Sequence, residues 1–304
     1  MIETAIAKDV GPHHLDIAWA RAGNPEHPTV LLVMGIAAQL VHWPDGFLDA
    51  LIARELHLVL FDNRDAGRST HLTDAPPPNL PAVLGGDLSS ASYTLSDMAA
   101  DAVGLLDVLG IRAAHVVGAS MGGAIAQTLA LEHPARVLSL TSMMSTTGDP
   151  TVGQIHPDTA KALFGSPPPR TRDEFIAATL RRYDLIGSPA YPLDPDAVAT
   201  LAGLSYDRDH DEVAIARQAV ATVASGDRTE ALRRLALPTL VIHGLTDTMC
   251  DPSGGRATAA AIPGAELVLI GGMGHNLPPA LWERLADHIA QVVRRGEERA
   301  TRGR

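Results

Sequence analysis

The sequence predicts an α/β protein with a mostly parallel central sheet and helices on both of its faces. Continuous apolar runs over residues 29–34, 56–61 and 137–144 are typical of strands that are buried on both faces. Helical patterns alternate with these runs, as they do where crossover helices join parallel strands. The 304 residues, 46% of them hydrophobic, are enough for one large core with an inserted lid.

The charge and cysteine content of the chain limit its function classes. A formal net charge of −11 gives no support to nucleic-acid binding. The single cysteine, Cys250, cannot form an intramolecular disulfide. Residues 1–10 show no signal-peptide pattern, and no apolar run reaches the about 18 residues of a membrane span. We therefore expect a cytoplasmic monomer or homodimer without membrane or nucleic-acid partners.

Local patterns define the elements of the N-terminal half. Alternating apolar and polar residues over 15–20 predict an early strand. Asp45 begins a short helical pattern after the strand at 29–34. Thr94 and Asp97 form a capping signature, and the helix that they begin is expected to stop at Gly110.

Residues 62–69, Asp-Asn-Arg-Asp-Ala-Gly-Arg-Ser, form a charged loop directly after a buried strand. In one interpretation Asp62, Arg64 and Arg68 tie this loop together by charge-assisted hydrogen bonds. In the other, its charged side chains contact the substrate directly. We favour the first interpretation.

The second half of the chain changes character twice. Residues 146–235 show helical patterns and no convincing buried strand, which predicts a helical cap. Strand patterns resume at residues 238–243 and 266–270, and an amphipathic helix ends the chain. We therefore expect a core of residues 1–145 and 236–304 that carries the cap as an insertion.

A Gly-x-Ser-x-Gly motif lies between a predicted strand and a predicted helix. Its residues are Gly118, Ser120 and Gly122, and Gly123 follows. In this setting the motif is typical of a nucleophile elbow, a strained turn that exposes the serine hydroxyl at the start of a helix. The alternative is a turn of small residues that only packs a helix against the sheet.

A serine nucleophile needs a general base and a group that orients the base. Asp247 and His275 each follow a predicted strand by four or five residues, so both are expected at the same sheet edge as Ser120. Asp251 is the alternative to Asp247, but it precedes a proline and is better explained as a turn or helix-start residue.

The oxyanion of an acyl-transfer intermediate requires backbone donors. The N–H groups of Met121, which follows the serine, and of Ile36, in the loop after an early strand, are the candidates. We expect no metal and no organic cofactor, because the sequence has no Cys/His cluster and no glycine-rich dinucleotide fingerprint.

Four segments of the chain resemble the α/β-hydrolase family, and most closely its aclacinomycin methylesterase group. They are residues 33–35, 62–69, 118–123 and 272–275. One departure from the wider family is Met34-Gly35, where many members have His-Gly; the methylesterase group is similar to this chain there.

The resemblance implies an α/β-hydrolase fold with a helical lid inserted after the sixth strand. It also implies a catalytic triad of Ser120, Asp247 and His275, with oxyanion donors at Ile36 and Met121. The expected activity is hydrolysis of a small to mid-sized, largely apolar carboxylic ester, with a methyl ester of a polyketide-like compound as one candidate.

The sequence leaves two other functions open. The same triad could catalyse cofactor-free perhydrolysis of the haloperoxidase type, lactone opening or C–C bond hydrolysis. The chain could also be a non-catalytic binding protein of hydrolase-like fold.

Overall fold

The computed structural model describes residues 4–165 and 167–302, and its strands form a single mostly parallel sheet. The strands are β1 (Ala5–Val10), β2 (Leu15–Ala22), β3 (Thr29–Val33), β4 (His57–Phe61), β5 (Ala114–Ala119), β6 (Val137–Met143), β7 (Thr239–Gly244) and β8 (Glu266–Ile270). Their spatial order is β1-β2-β4-β3-β5-β6-β7-β8, with β2 antiparallel to both β1 and β4 and the rest parallel. This sheet confirms the predicted fold class.

Helices cover both faces of the sheet. They are α1 (Asp45–Ile52), α2 (Leu80–Leu84), α3 (Leu95–Val108), α4 (Met121–Glu132), α5 (Pro157–Phe164), α6 (Arg172–Ile186), α7 (Pro195–Arg208), α8 (Glu212–Ala224), α9 (Thr229–Leu232), α10 (Ser253–Ala261) and α11 (Trp282–Arg302). Buried side chains of α3, α4 and α10 pack in one hydrophobic cluster, and those of α1 and α11 pack in another on the opposite face. The continuous apolar strands lie between these clusters, as the sequence predicts.

Several elements were not predicted individually from the sequence, among them β1, α2 and α5. Strand β1 pairs only with β2 and exposes most of its residues, so it lacks the apolar run or strict alternation of a recognisable strand. Helix α2 lies within a proline-rich stretch that was expected to be irregular. Helix α5 is only eight residues long and begins at Pro157.

Helices α5 to α9 lie between β6 and β7. Helices α6 and α7 pack against each other, and α8 packs against α2. Residues 146–235, the predicted cap, fall within this stretch, and the assignment of the stretch as a functional lid stays a prediction.

The charged loop of residues 62–69 forms its main ion pairs with other parts of the chain. Arg64 pairs with Asp101 of α3, and both side chains are 2% exposed. Asp62 pairs with Arg208 of α7 at 2.5 Å. The expectation that Asp62, Arg64 and Arg68 tie the loop together is therefore wrong in part. Within the loop, the backbone N–H of Arg68 donates to Asp62 Oδ2 at 3.0 Å, but Arg68 itself is exposed.

Candidate active site

Ser120 lies in a strained turn between β5 and α4. Its backbone has φ 57° and ψ −124°, a conformation that non-glycine residues rarely adopt. The turn is also crowded, since a Cβ on Gly118 would lie 2.0 Å from the carbonyl oxygen of Gly122, and one on Gly122 would lie 2.1 Å from that of Val33. The two glycines of the motif are thus required by close backbone approaches.

The structure brings the predicted Ser120, His275 and Asp247 together. His275 Nε2 lies 3.0 Å from Ser120 Oγ, and His275 Nδ1 lies 2.7 Å from Asp247 Oδ2. An ionised carboxylate only accepts hydrogen bonds, so the Nδ1 atom carries the proton of a neutral imidazole. His275 Nε2 is then free to accept a hydrogen bond from the serine hydroxyl, which is the arrangement a general base requires.

The surroundings of Asp247 keep its carboxylate ionised. Burial alone would raise the pKa of Asp247, but the positive charge of His275 in its protonated form and hydrogen bonds from His243, His275 and the Cys250 N–H hold this pKa well below its usual range. The backbone N–H groups of Met249 and Cys250 both donate to Asp247 Oδ1, at 2.9 Å. The carboxylate is therefore fixed in position as well as in charge.

His243, at the end of β7, is a neighbour of this site that the sequence reasoning missed. Its Nε2 donates to the carbonyl oxygen of Cys250 at 2.8 Å and lies 3.5 Å from Asp247 Oδ2. A histidine four residues before the candidate aspartate was the available signal, but with 13 histidines in the chain it did not stand out.

Asp251, the alternative to Asp247, lies at the start of α10. It is exposed and accepts a hydrogen bond of 2.8 Å from the Ser253 N–H. That contact is the helix-start role expected for it.

The loop that bears His275 is held by the last residue of α6 and the residues that follow it. The His275 N–H donates to the carbonyl oxygen of Ile186 at 2.7 Å, and the Gly274 N–H donates to Ser188 Oγ at 2.9 Å. A Cβ on Gly274 would lie 2.0 Å from the carbonyl oxygen of Gly187. This part of the predicted cap therefore packs directly against the base.

The candidate oxyanion donors lie on either side of Ser120. Met121 is the first residue of α4, so its N–H has no acceptor within the helix. Ile36 follows Gly35, which lies close to the nucleophile. A Cβ on Gly35 would be 2.9 Å from Ser120 Cβ. The loop after β3 therefore passes beside the serine, as an oxyanion loop must.

A cavity of about 730 Å³ lies elsewhere in the molecule. It is lined by residues of α3, α4, α8, α9 and α11, and Ser120, Asp247 and His275 are not among them. The hydrogen-bonded Ser120, His275 and Asp247 identify the candidate active site, although they do not line this cavity.

Neither a metal site nor a membrane-spanning helix is found in residues 4–165 and 167–302. Within these ranges, no group of three or more His, Cys, Asp or Glu residues is arranged to hold a metal ion. No helix in the same part of the chain is long and apolar enough to cross a membrane.

Comparison with known proteins identifies relatives over most of the chain. Residues 28–279 match a family described as having the alpha/beta hydrolase fold. The chain is 30% identical over 292 residues to the rhodomycin D methylesterase of Streptomyces peucetius, covering 90% of this chain and 93% of that protein. The corresponding enzyme of Streptomyces sp. strain C5 gives the same identity and coverage. A hydrolase of Pseudomonas aeruginosa of known structure has a TM-score of 0.67 and 24% identity, covering 96% of this chain and 97% of that one.

Proposed function

Because the chain belongs to the alpha/beta hydrolase family and is an ester hydrolase, we propose that it cleaves a carboxylic ester through an acyl-enzyme on Ser120. His275 acts as the general base and acid, and Asp247 orients it. The observation that carries this proposal is the pair of hydrogen-bond contacts from His275 to Ser120 Oγ, 3.0 Å, and to Asp247 Oδ2, 2.7 Å.

The first half of the reaction forms the acyl-enzyme. His275 Nε2 takes the proton of Ser120 as Oγ attacks the ester carbonyl carbon. The N–H groups of Ile36 and Met121 donate to the oxyanion of the tetrahedral intermediate. The C–O bond then breaks, and His275 returns the proton to the departing alcohol.

Water completes the reaction in the second half. His275 removes a proton from water, and the hydroxide attacks the acyl carbon. The bond between that carbon and Ser120 Oγ then breaks, and the protonated imidazole returns the proton to Oγ. Asp247 stabilises the imidazolium in both halves, which is consistent with a carboxylate whose pKa is held low. The products are the carboxylic acid and the alcohol.

A small to mid-sized, largely apolar ester is the proposed substrate. The two Streptomyces relatives are named for a methyl ester substrate, rhodomycin D, and they cover nine-tenths of this chain. We therefore propose a methyl ester of a polyketide-like compound as the first substrate to test. The other reactions of the same triad are outcomes of the panel described below.

A purely binding function has less support. The strained backbone of Ser120 and the low pKa of Asp247 are features of a reactive site, and ligand binding alone gives no reason to maintain them.

Hydrolysis of p-nitrophenyl butyrate by the wild-type protein and by Ser120→Ala tests the proposal. The Ser120→Ala variant should lose activity to the background rate, a fall of about 10⁶ in kcat where a serine triad operates. Ser89→Ala, at an exposed serine outside the site, is the matched control and should keep wild-type activity. Absence of wild-type turnover, or undiminished turnover in Ser120→Ala, would refute the proposal.

A substrate panel then addresses the chemistry of the reaction. It should contain methyl esters on polycyclic aromatic acids, short alkyl esters, lactones and C–C cleavage substrates, with peroxide added in separate assays. A methylesterase should give its highest kcat/KM with the first group.

The cytoplasmic location and the monomer or homodimer state stay predictions, to be checked by cell fractionation and light scattering.

A further inference from the structure

We propose that Gln218, on α8, is a positioning residue for the oxyanion loop, defined here as residues 34–40. Through this contact the predicted cap sets the geometry of the proposed oxyanion hole. The role rests on the proposed function, because the Ile36 N–H in this loop is one of the two proposed oxyanion donors.

The amide of Gln218 is fully buried and bonded at both of its ends. Its Oε1 accepts a hydrogen bond of 3.0 Å from the Ala37 N–H, and its Nε2 donates one of 2.9 Å to the carbonyl oxygen of Arg64. The side chain is 0% exposed. Since the donor and acceptor ends have different partners, the orientation of this amide is defined, and the acceptor oxygen faces the loop.

The Ala37 amide is a sensitive point of the oxyanion loop. Ala37 has φ 58°, in the left-handed region that favours glycine. The Ala37 N–H belongs to the peptide group that joins Ile36 to Ala37, so a change in its position also moves the backbone of Ile36. A hydrogen bond from a buried side chain can hold such a conformation against relaxation, and the oxyanion donor with it.

Two contacts with residues of the charged loop hold the oxyanion loop near its ends. Asn63 Nδ2 donates to the carbonyl oxygen of Met34 at 2.9 Å, and the Leu40 N–H donates to Asp62 Oδ1 at 2.6 Å. Both of these partners belong to the charged loop of the core. Gln218 supplies the contact at the centre of the oxyanion loop, and it comes from the helices between β6 and β7.

Helix α8 is itself fixed to the core beside Gln218. Arg217 donates two hydrogen bonds to Asp65, from Nε to Oδ2 and from Nη2 to Oδ1, both 2.8 Å. The position of α8 relative to the charged loop is thus restrained one residue away from the contact with Ala37. Displacement of α8 would therefore withdraw the acceptor from the oxyanion loop.

Gln218→Met is the main test, because it keeps an unbranched side chain of similar length and removes both hydrogen bonds. We expect kcat to fall by about 10- to 100-fold, since a donor displaced by a fraction of an ångström loses part of its effect on the transition state. KM should change by less than about three-fold, because the contact is not with the substrate. Gln218→Glu keeps an acceptor for the Ala37 N–H and should retain more of kcat than Gln218→Met.

Gln127→Met is the matched control for loss of a buried glutamine. Gln127 is also 0% exposed, and its Nε2 donates to Ser142 Oγ at 3.1 Å, away from the oxyanion loop. The thermal stability of Gln127→Met should fall as that of Gln218→Met does, while the kcat of Gln127→Met stays near the wild-type value. Equal losses of kcat in the two variants would overturn the inference.

A second readout separates this inference from the proposed function. The rate of Ser120 labelling by a fluorophosphonate, whose phosphonyl oxygen occupies the oxyanion hole, should fall in Gln218→Met. Hydrogen exchange at the Ala37 amide should become faster in the same variant. Wild-type labelling and kcat that persist unchanged in Gln218→Met would overturn the positioning role and leave the esterase intact. Absence of both turnover and labelling in the wild type would overturn the proposed function, and the positioning role with it.

Discussion

Replacing Arg217 by methionine should destabilise the fold by about 3–5 kcal/mol, the range found when one partner of a buried ion pair is removed. The Arg217 and Asp65 side chains are 3% and 0% exposed, and two hydrogen bonds of 2.8 Å join them. The variant leaves the Asp65 carboxylate buried without its cation, although the Leu72 N–H still donates to it at 2.8 Å. The cost is therefore mainly the uncompensated burial of a charge.

The expected loss converts to a measurable change in melting temperature. An unfolding entropy of about 2.1 cal/mol/K per residue, for 304 residues, gives about 0.64 kcal/mol/K, so Tm should fall by about 5–8 °C. Differential scanning fluorimetry and urea unfolding give the two measurements. The double variant Asp65→Asn with Arg217→Met should recover part of the loss, because no buried charge remains unpaired.

Arg172→Met supplies the matched control. Arg172 donates to Asp207 through two hydrogen bonds of 2.8 and 3.0 Å, but the two side chains are 47% and 55% exposed. An exposed pair contributes little to stability because water and salt screen it, so this variant should lower Tm by less than about 2 °C. Similar small shifts in the two variants would refute the conclusion that the Arg217 pair anchors α8 to the core.

Four further predictions concern the site itself. Gly122→Ala should lower both Tm and kcat, because its Cβ would lie 2.1 Å from the Val33 carbonyl oxygen; unchanged ester hydrolysis would contradict the crowding of the elbow. Asp247→Asn should lower kcat at pH 7 by about 10⁴-fold, since the wrong His275 tautomer is then favoured. The folded-state pKa of Asp247 lies below its unfolded value, so its stabilising contribution is present above about pH 4 and is lost at lower pH. The Tm difference between wild type and Asp247→Asn should accordingly narrow on acidification, and a constant difference would count against the assignment. Burial raises the pKa of the Cys250 thiol, so a disulfide reagent should modify it only on unfolding, and rapid labelling of the native protein would be the contrary result.

The fold and the grouping of Ser120, Asp247 and His275 could be predicted because their signals are local. Buried parallel strands have continuous apolar runs, and the elbow requires glycines within five residues of sequence. Loops that follow parallel strands meet at one edge of the sheet, which places Asp247 and His275 near Ser120 without any knowledge of distant contacts.

The contacts of the predicted cap could not be predicted in the same way. Gln218 and Ala37 are 181 residues apart, and Arg208 and Asp62 are 146 apart. A charged loop beside buried strands indicates that its charges need partners, but it does not indicate which of the 24 Lys and Arg residues supply them. Only the packed fold selects among them.

Strand β1 was missed for a different reason. Its pattern of exposure repeats every third residue, and its Lys8 and Asp9 lie in a hairpin at the sheet edge. Edge strands tolerate charge and gain their stability from pairing with a neighbour, so composition alone does not identify them.

Detection of the acyl-enzyme on Ser120 is the most direct test of the proposed mechanism. Wild-type protein mixed with p-nitrophenyl butyrate, quenched in acid within milliseconds and digested for peptide mass spectrometry should show a butyryl group on the peptide that contains Ser120. Asp247→Asn should accumulate the same adduct more slowly, and Ser120→Ala should form none. A butyryl group found on another residue, or steady turnover by Ser120→Ala, would contradict the mechanism.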